Sequence, residues 1–145
     1  MSDAGAQVFT YGCLMIPPVM ETVTGRLFAT EPALLQGFAR YALRGETYPG
    51  LVPESTAATE GVLWRHVDDD SLRRLDEFEG DWYERQRVTA IVGDKPLSVD
   101  TYVLVQAQHH RVSHRRWLRD RFETRYLQDF LSSYERTSAP MIDSP

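Results

Sequence analysis

Five short runs rich in β-branched and aromatic residues constrain the fold of this chain more than any other feature. They are VFTY (Val8–Tyr11), GFARYAL (Gly37–Leu43), GVLWRHV (Gly61–Val67), RVTAIV (Arg87–Val92) and TYVLVQ (Thr101–Gln106). Such side chains suit a pleated, half-buried surface, and the stretches YPG and VGDKP between runs suit turns. Helical segments are fewer. PPVMETV (Pro17–Val23) has prolines where a helix starts and Gly25 where it would stop. DDDSLRRLDEFEG is predicted to be helical, capped by Asp69, Asp70 or Ser71 and closed by Gly80. From about Ser113, Leu118, Phe122, Tyr126, Leu127, Phe130 and Tyr134 recur at helical spacing, which predicts a long amphipathic C-terminal helix laid on the body. Strand–helix–strand units are scarce. The expectation is an α+β fold, a small mixed β-barrel or curled sheet with flanking helices, and not a doubly wound sheet.

At 145 residues with 42% hydrophobic residues, the chain is the size of one domain and can bury one core, so a single domain over 1–145 is expected. Residues 1–6 and 137–145 read as loose ends, rich in small residues and proline. The formal net charge of −5 argues against a nucleic-acid partner. A single cysteine, Cys13, rules out an internal disulfide and fits a reducing compartment. No apolar run reaches the ~20 residues of a membrane span, and the N-terminus is too short and polar for a signal peptide. A cytoplasmic protein is expected.

The most informative stretch is LDEFEGDWYER, Leu75–Arg85. On a wheel advancing ~100° per residue from Leu72, Leu75 falls near ~300°, Phe78 near ~240° and Glu79 near ~340°. Glu79 therefore lies within the apolar arc. Glu77, near ~140°, faces away, and Asp76, near ~40°, sits on the border. A carboxylate on an apolar face prefers its neutral form, which moves its pKa toward that of a useful proton acceptor. The alternative is that the last turn frays and Glu79 swings to water or pairs with Arg85.

A second feature is FTYGCLMIPPVM, a strand broken at Gly12 before a proline-started helix. Successive backbone N–H groups at such a turn can converge on a carboxylate or carbonyl oxygen, with glycine leaving room for the ligand. A plain strand-to-loop turn is the competing reading. Cys13 occupies a place where a nucleophile could sit, although none of His66, His109, His110 or His114 is tied to it by a local signature. A buried apolar role is its alternative. His110 and His114 would form a metal pair were their segment helical, but no third ligand has convincing spacing.

These segments in order resemble the gamma-glutamylcyclotransferase-like family, including the plant avirulence-induced-gene proteins. VFTYGCL resembles its opening strand and Tyr-Gly-x-Leu loop; VTGRLF, GFARYALRGETYPGLVP and TEGVLW resemble the segments that follow. LDEFEGDWYERQRV is similar to its glutamate motif, TYVLV to a later strand, and the Trp-containing terminal helix to its plant branch. The resemblance implies a small β-barrel with flanking helices and a cavity between the Tyr-Gly loop and the glutamate. Carried over by position, it places the catalytic glutamate on Glu79 and the substrate-holding loop on Tyr11, Gly12, Cys13 and Leu14. Cys13 departs from the Ser or Thr usual there, and a thiol is the poorer hydrogen-bond partner.

The implied reaction is attack of the α-amine of a γ-glutamyl group on its own γ-carbonyl, releasing an amine and 5-oxoproline, with no metal or organic cofactor. Glu79 would act as general acid and base on this small-molecule γ-glutamyl substrate, with Tyr83 and Tyr48 as wall residues. Two other readings stand beside it: a non-catalytic module that binds a small ligand in the same cavity, and a Cys13-dependent hydrolase.

Overall fold

A computed structural model describes residues 5–129 and 131–132. Its strands are β1 (Ala6–Thr10), β2 (Thr30–Leu43), β3 (Pro49–Val67), β4 (Tyr83–Val92), β5 (Lys95–Leu104) and β6 (Val112–Arg116). Helix α1 (Pro17–Thr24) follows β1, α2 (Asp69–Glu79) follows β3, and short 3-10 turns occupy Cys13–Met15, Gly80–Trp82 and Gln106–Arg111. The sheet order is β3-β1-β5-β4-β2-β6, and β3 also pairs with β2. The pairings therefore run round into a ring of five strands, with β6 attached to the outside of β2. The expected α+β class with a small ring-like sheet and flanking helices holds. No helix among the described residues is long and apolar enough to cross a membrane.

Alternation along the strands separates two cores. Phe9, Leu35, Leu51, Leu63, Ala90, Val99 and Val103 fill the inside of the ring. Their neighbours Val8, Trp64 and Tyr102 point the other way and meet Ile16, Val19 and Met20, together with Leu75 from α2. Trp64 anchors this outer core. It pairs with Val8 on one side of β3 and Thr30 on the other, and its indole N–H donates to Thr10 Oγ1 at 3.0 Å. A glycine is needed beside it: a Cβ on Gly61 would lie 2.3 Å from the Thr10 carbonyl oxygen and 2.6 Å from the Phe9 ring.

Local chemistry sets most element ends. Gly25 adopts φ 79° and stops α1, as its position predicts. Gly93 and Asp94, with φ 56° and 70°, form a two-residue hairpin turn between Val92 and Lys95. Elsewhere the structure differs from expectation. The cap of α2 is Asp68, whose carboxylate accepts from the Ser71 backbone N–H at 3.2 Å. A helix beginning one residue earlier moves the cap off Asp69, Asp70 and Ser71. YPG is not wholly a turn, since Pro49 and Gly50 already pair with Ala42 and Tyr41 in β3. β2 reaches back from Gly37 to Thr30, absorbing the bend at Gly37 (φ 86°) as a bulge between Gln36 and Phe38.

The C-terminal region differs most. Val112–Arg116 is a strand, held on β2 through Tyr41–Arg116 and Leu43–Val112 pairing, and helix α3 begins only at Arg119. An open β2 edge captured a segment whose apolar spacing alone suited a helix. Leu118 is 55% exposed and does not join the buried face. Phe122–Tyr126 forms a π-turn, which carries the apolar stripe from Phe122 to Leu127 and then Leu131, all packed on the outer core. Phe130, Tyr134, residues 1–4 and the expected loose end 137–145 lie outside the described residues. Ala6, expected to be loose, is the first residue of β1.

Candidate functional site

A cavity of about 370 Å³ opens at the end of the ring where β1 and β5 finish and β3 and β4 begin. The turn after β1 supplies Tyr11, Gly12, Cys13 and Leu14; the end of α2 supplies Phe78 and Glu79; the 3-10 turn adds Asp81 and Trp82. Tyr48, Pro49, Tyr83 and Tyr102 complete the wall. The structure thus brings Glu79, Tyr11, Gly12, Cys13, Leu14, Tyr83 and Tyr48, the seven residues that the sequence and the resemblance assign to one cavity, onto one hollow. Among the described residues, no Lys, Arg or His lines it.

Glu79 owes its place to α2. Leu75 is fully buried under the helix, and Gly80, at φ 76°, ends it immediately after Glu79 while its N–H returns to the Asp76 carbonyl. The helix therefore cannot fray past this point without giving up that bond. No described residue forms a hydrogen bond or ion pair with the Glu79 carboxylate. Burial pushes its carboxyl up to about 8, and the neighbouring Asp76 carboxylate adds to the rise. Glu79 as a whole residue is half-buried, and it lines the cavity. Arg85, the alternative partner considered for Glu79, instead grips Asp76 through Nε–Oδ1 at 2.9 Å and Nη2–Oδ2 at 3.3 Å.

The Tyr-Gly turn is held from several sides. The Met15 and Ile16 N–H groups bond back to the Gly12 and Cys13 carbonyls, and the Cys13 and Leu14 N–H groups, the first of the turn, lie beside the Cys13 sulfur. Arg40 Nη1 donates to the Tyr11 carbonyl at 2.8 Å, and the Tyr11 hydroxyl donates to the Tyr102 carbonyl at 2.6 Å. A Cβ on Gly12 would sit 2.9 Å from Cγ and 3.0 Å from Cδ of Pro49, so the proline ring by itself already excludes a side chain there. Pro49 is itself tied to the far wall, accepting from the Tyr83 hydroxyl at 2.6 Å.

Cys13 is buried and free, and burial, followed by the Glu79 charge, pushes its thiol well above the ordinary range. A protonated thiol with no histidine on the cavity is poorly set up as a nucleophile. Burial also raises Tyr11, Tyr83 and Tyr102, and takes Tyr48 up to about 12 with help from Glu46. The walls are therefore neutral hydroxyls at ordinary pH. His110 lies in the 3-10 turn and His114 on β6, so they do not share a helix face. Among the described residues, no three His, Cys, Asp or Glu stand where they could hold a metal ion.

Sequence reasoning missed Tyr102, Trp82, Pro49 and Arg40. A tyrosine interrupting the aliphatic run TYVLV was a usable signal for Tyr102, and Trp82 follows directly on the glutamate stretch. Nothing local marks Arg40, which reaches Tyr11 across 29 positions.

Comparisons with known proteins bear on the family and the fold. AIG2-like protein C of Arabidopsis thaliana is 36% identical over 102 residues, covering 69% of this chain and 59% of that protein's own length. A solution structure from the same plant superposes with a TM-score of 0.69 at 29% identity, over 97% of this chain and 85% of that one. A yeast gamma glutamyl cyclotransferase specific to glutathione shares the fold at a TM-score of 0.63 and 15% identity, covering 77% of this chain and 74% of that one. Residues 8–119, from the middle of β1 to the start of α3, match the family model described as gamma-glutamyl cyclotransferase, AIG2-like, and the chain belongs to that family.

Proposed function

We propose that this protein is a cyclotransferase that releases 5-oxoproline from a γ-glutamyl amine or γ-glutamyl amino acid, with Glu79 as the general acid and base. The observation that carries the reading is a carboxylate with a raised pKa and no hydrogen-bond or ion-pair partner among the described residues, on the same cavity of about 370 Å³ as Tyr11, Gly12, Cys13 and Leu14. In the reaction, Glu79 takes a proton from the α-ammonium, and the freed amine attacks the γ-carbonyl. The C–N bond to the leaving amine then breaks as Glu79 returns the proton to it, and the second proton, shed by the attacking nitrogen as the lactam forms, ends on the freed amine as its ammonium. Water is not consumed, and the products are 5-oxoproline and the amine.

Nucleophile and electrophile belong to one molecule, so folding the substrate against the walls removes much of the entropic cost. Tyr11, Gly12, Cys13 and Leu14 would hold substrate oxygens with backbone N–H groups, and Tyr83 would serve as wall. No cationic side chain among the described residues lines the cavity, so the backbone N–H groups of this turn are the donors we assign to a substrate carboxylate. Every step is supplied by this chain's own residues and the substrate.

Incubation at pH 8 with a panel of γ-glutamyl amines, amino acids and peptides is expected to release 5-oxoproline and the matching free amine in equal amounts. Binding without product across the panel would favour a ligand-holding module. Cys13→Ala is expected to keep turnover within about threefold, because a thiol held protonated contributes no nucleophile. Loss of all activity in that variant, with an unchanged melting temperature, would support the cysteine-dependent hydrolase instead.

A further inference from the structure

Behind Glu79 runs a chain of polar contacts for which the reaction as written has no use. The Tyr102 hydroxyl donates to Asp76 Oδ1 at 2.5 Å, and Arg85 grips both oxygens of the same carboxylate. Arg85 also lies 3.8 Å from the buried Asp100, which accepts from Arg87 Nε at 3.1 Å. Tyr102 and Arg85 sit opposite each other in the β4–β5 ladder, so the contacts fasten the last turn of α2 to that hairpin. Asp76 precedes Glu79 by three positions, which on a helix makes the two side chains neighbours.

Of the titratable groups facing Glu79, Tyr11 and Cys13 come from the turn after β1, Tyr48 precedes β3, Tyr83 lies on β4 and Tyr102 on β5. Each of these keeps its proton through the neutral range. Asp81, from the 3-10 turn, is exposed at the rim, where water screens it. Asp76 is therefore the charged neighbour held by fixed partners, and Arg85 is the cation that partly offsets it.

We propose that Asp76 and Arg85 are positioning residues for Glu79: one ion pair, locked by the Tyr102 hydroxyl, that seats the glutamate-bearing turn and whose two charges set the pH at which Glu79 exchanges its proton. The inference rests on the reading of Glu79 as the acid and base. Removing the anion leaves Glu79 easier to ionise. Removing the cation leaves Asp76 less compensated and makes Glu79 harder to ionise.

Titration of the Glu79 carboxyl by NMR, with carbon-13 glutamate and assignment through Glu79→Gln, reads this without any substrate. Asp76→Asn is expected to lower the midpoint by about 0.5–2 pH units, the range for unit charges some 6 Å apart between full water screening and a protein surface, and Arg85→Gln to raise it by less. Both shifts should shrink in high salt, because the pair is part-exposed. A purely structural role would move both midpoints in the same direction or leave them in place, and either result overturns the proposal. Thermal melts select the folded variants, and Asp76→Glu, which restores the charge, should return the midpoint toward wild type. If wild type makes no 5-oxoproline while the opposed shifts appear, the proposed reaction fails and the charge coupling stands.

Discussion

Glu79→Gln is expected to lower turnover by about 10²–10⁴ while the fold stays intact, the usual cost of deleting a general base. Glutamine nearly matches the shape of glutamate but cannot accept the proton. Because Glu79 titrates at about 8, wild-type turnover should climb about tenfold per pH unit below that value and level off above it, whereas the variant's residual rate should lack this limb. Steady-state assays of 5-oxoproline release from pH 6 to 9.5 check both expectations. Near-normal turnover in Glu79→Gln would remove the proposed mechanism.

The same substitution should stabilise the protein at alkaline pH. The native carboxyl titrates at about 8, against an ordinary value of 4.5. Below 4.5 both folded and unfolded chains hold the proton, and burial of the group costs little. Between these values the native state keeps a proton that the unfolded chain has released, so stability falls as pH rises through the window. Above about 8 the folded protein carries a largely desolvated carboxylate, at a cost on the order of a few kcal/mol once its partial exposure is allowed for. The neutral amide of the variant has no such dependence. The melting temperature of Glu79→Gln should exceed that of wild type by roughly 5 °C or more at pH 9, and the gap should close toward pH 4.5. Lost turnover together with gained stability separates a functional carboxylate from a structural one.

Trp64→Ala is expected to be the most destabilising single truncation among the core residues, at about 3–5 kcal/mol. The indole is 1% exposed and packs where β3 is flanked by β1 and β2, beneath the helices that carry the Tyr-Gly turn and Glu79. Against a total stability of about 5–15 kcal/mol for a typical domain, such a loss brings the native state close to unfolding. Trp64→Phe keeps most of the volume but gives up the bond to Thr10 Oγ1, for about 1–2 kcal/mol. Urea unfolding at constant slope should rank wild type, Phe and Ala in that order. Equal midpoints for the Phe and Ala variants would mean that the hydrogen bond, and not the packing, holds this junction.

What could be read from the sequence lay within one or two turns of chain. The β-rich runs, α1 with Gly25, α2 with Gly80, and Glu79 on the apolar arc all follow from side-chain period and stop signals, which act over a few residues. The resemblance to a known family added the order of the pieces. The tertiary structure decided contacts that no local rule reaches: Arg40 on the Tyr11 carbonyl, Tyr102 on Asp76, Tyr83 on Pro49, and the Pro49 ring over Gly12. It also turned the stretch from Ser113 to Arg116 from the start of an expected helix into strand, because the edge of β2 offers hydrogen bonds that outweigh a weak helical preference. Closing the strand ring brings residues 91 positions apart, such as Tyr11 and Tyr102, within one hydrogen bond of each other. The acid's place on its helix is thus a matter of local periodicity, while the company it keeps is set by the register of the strands.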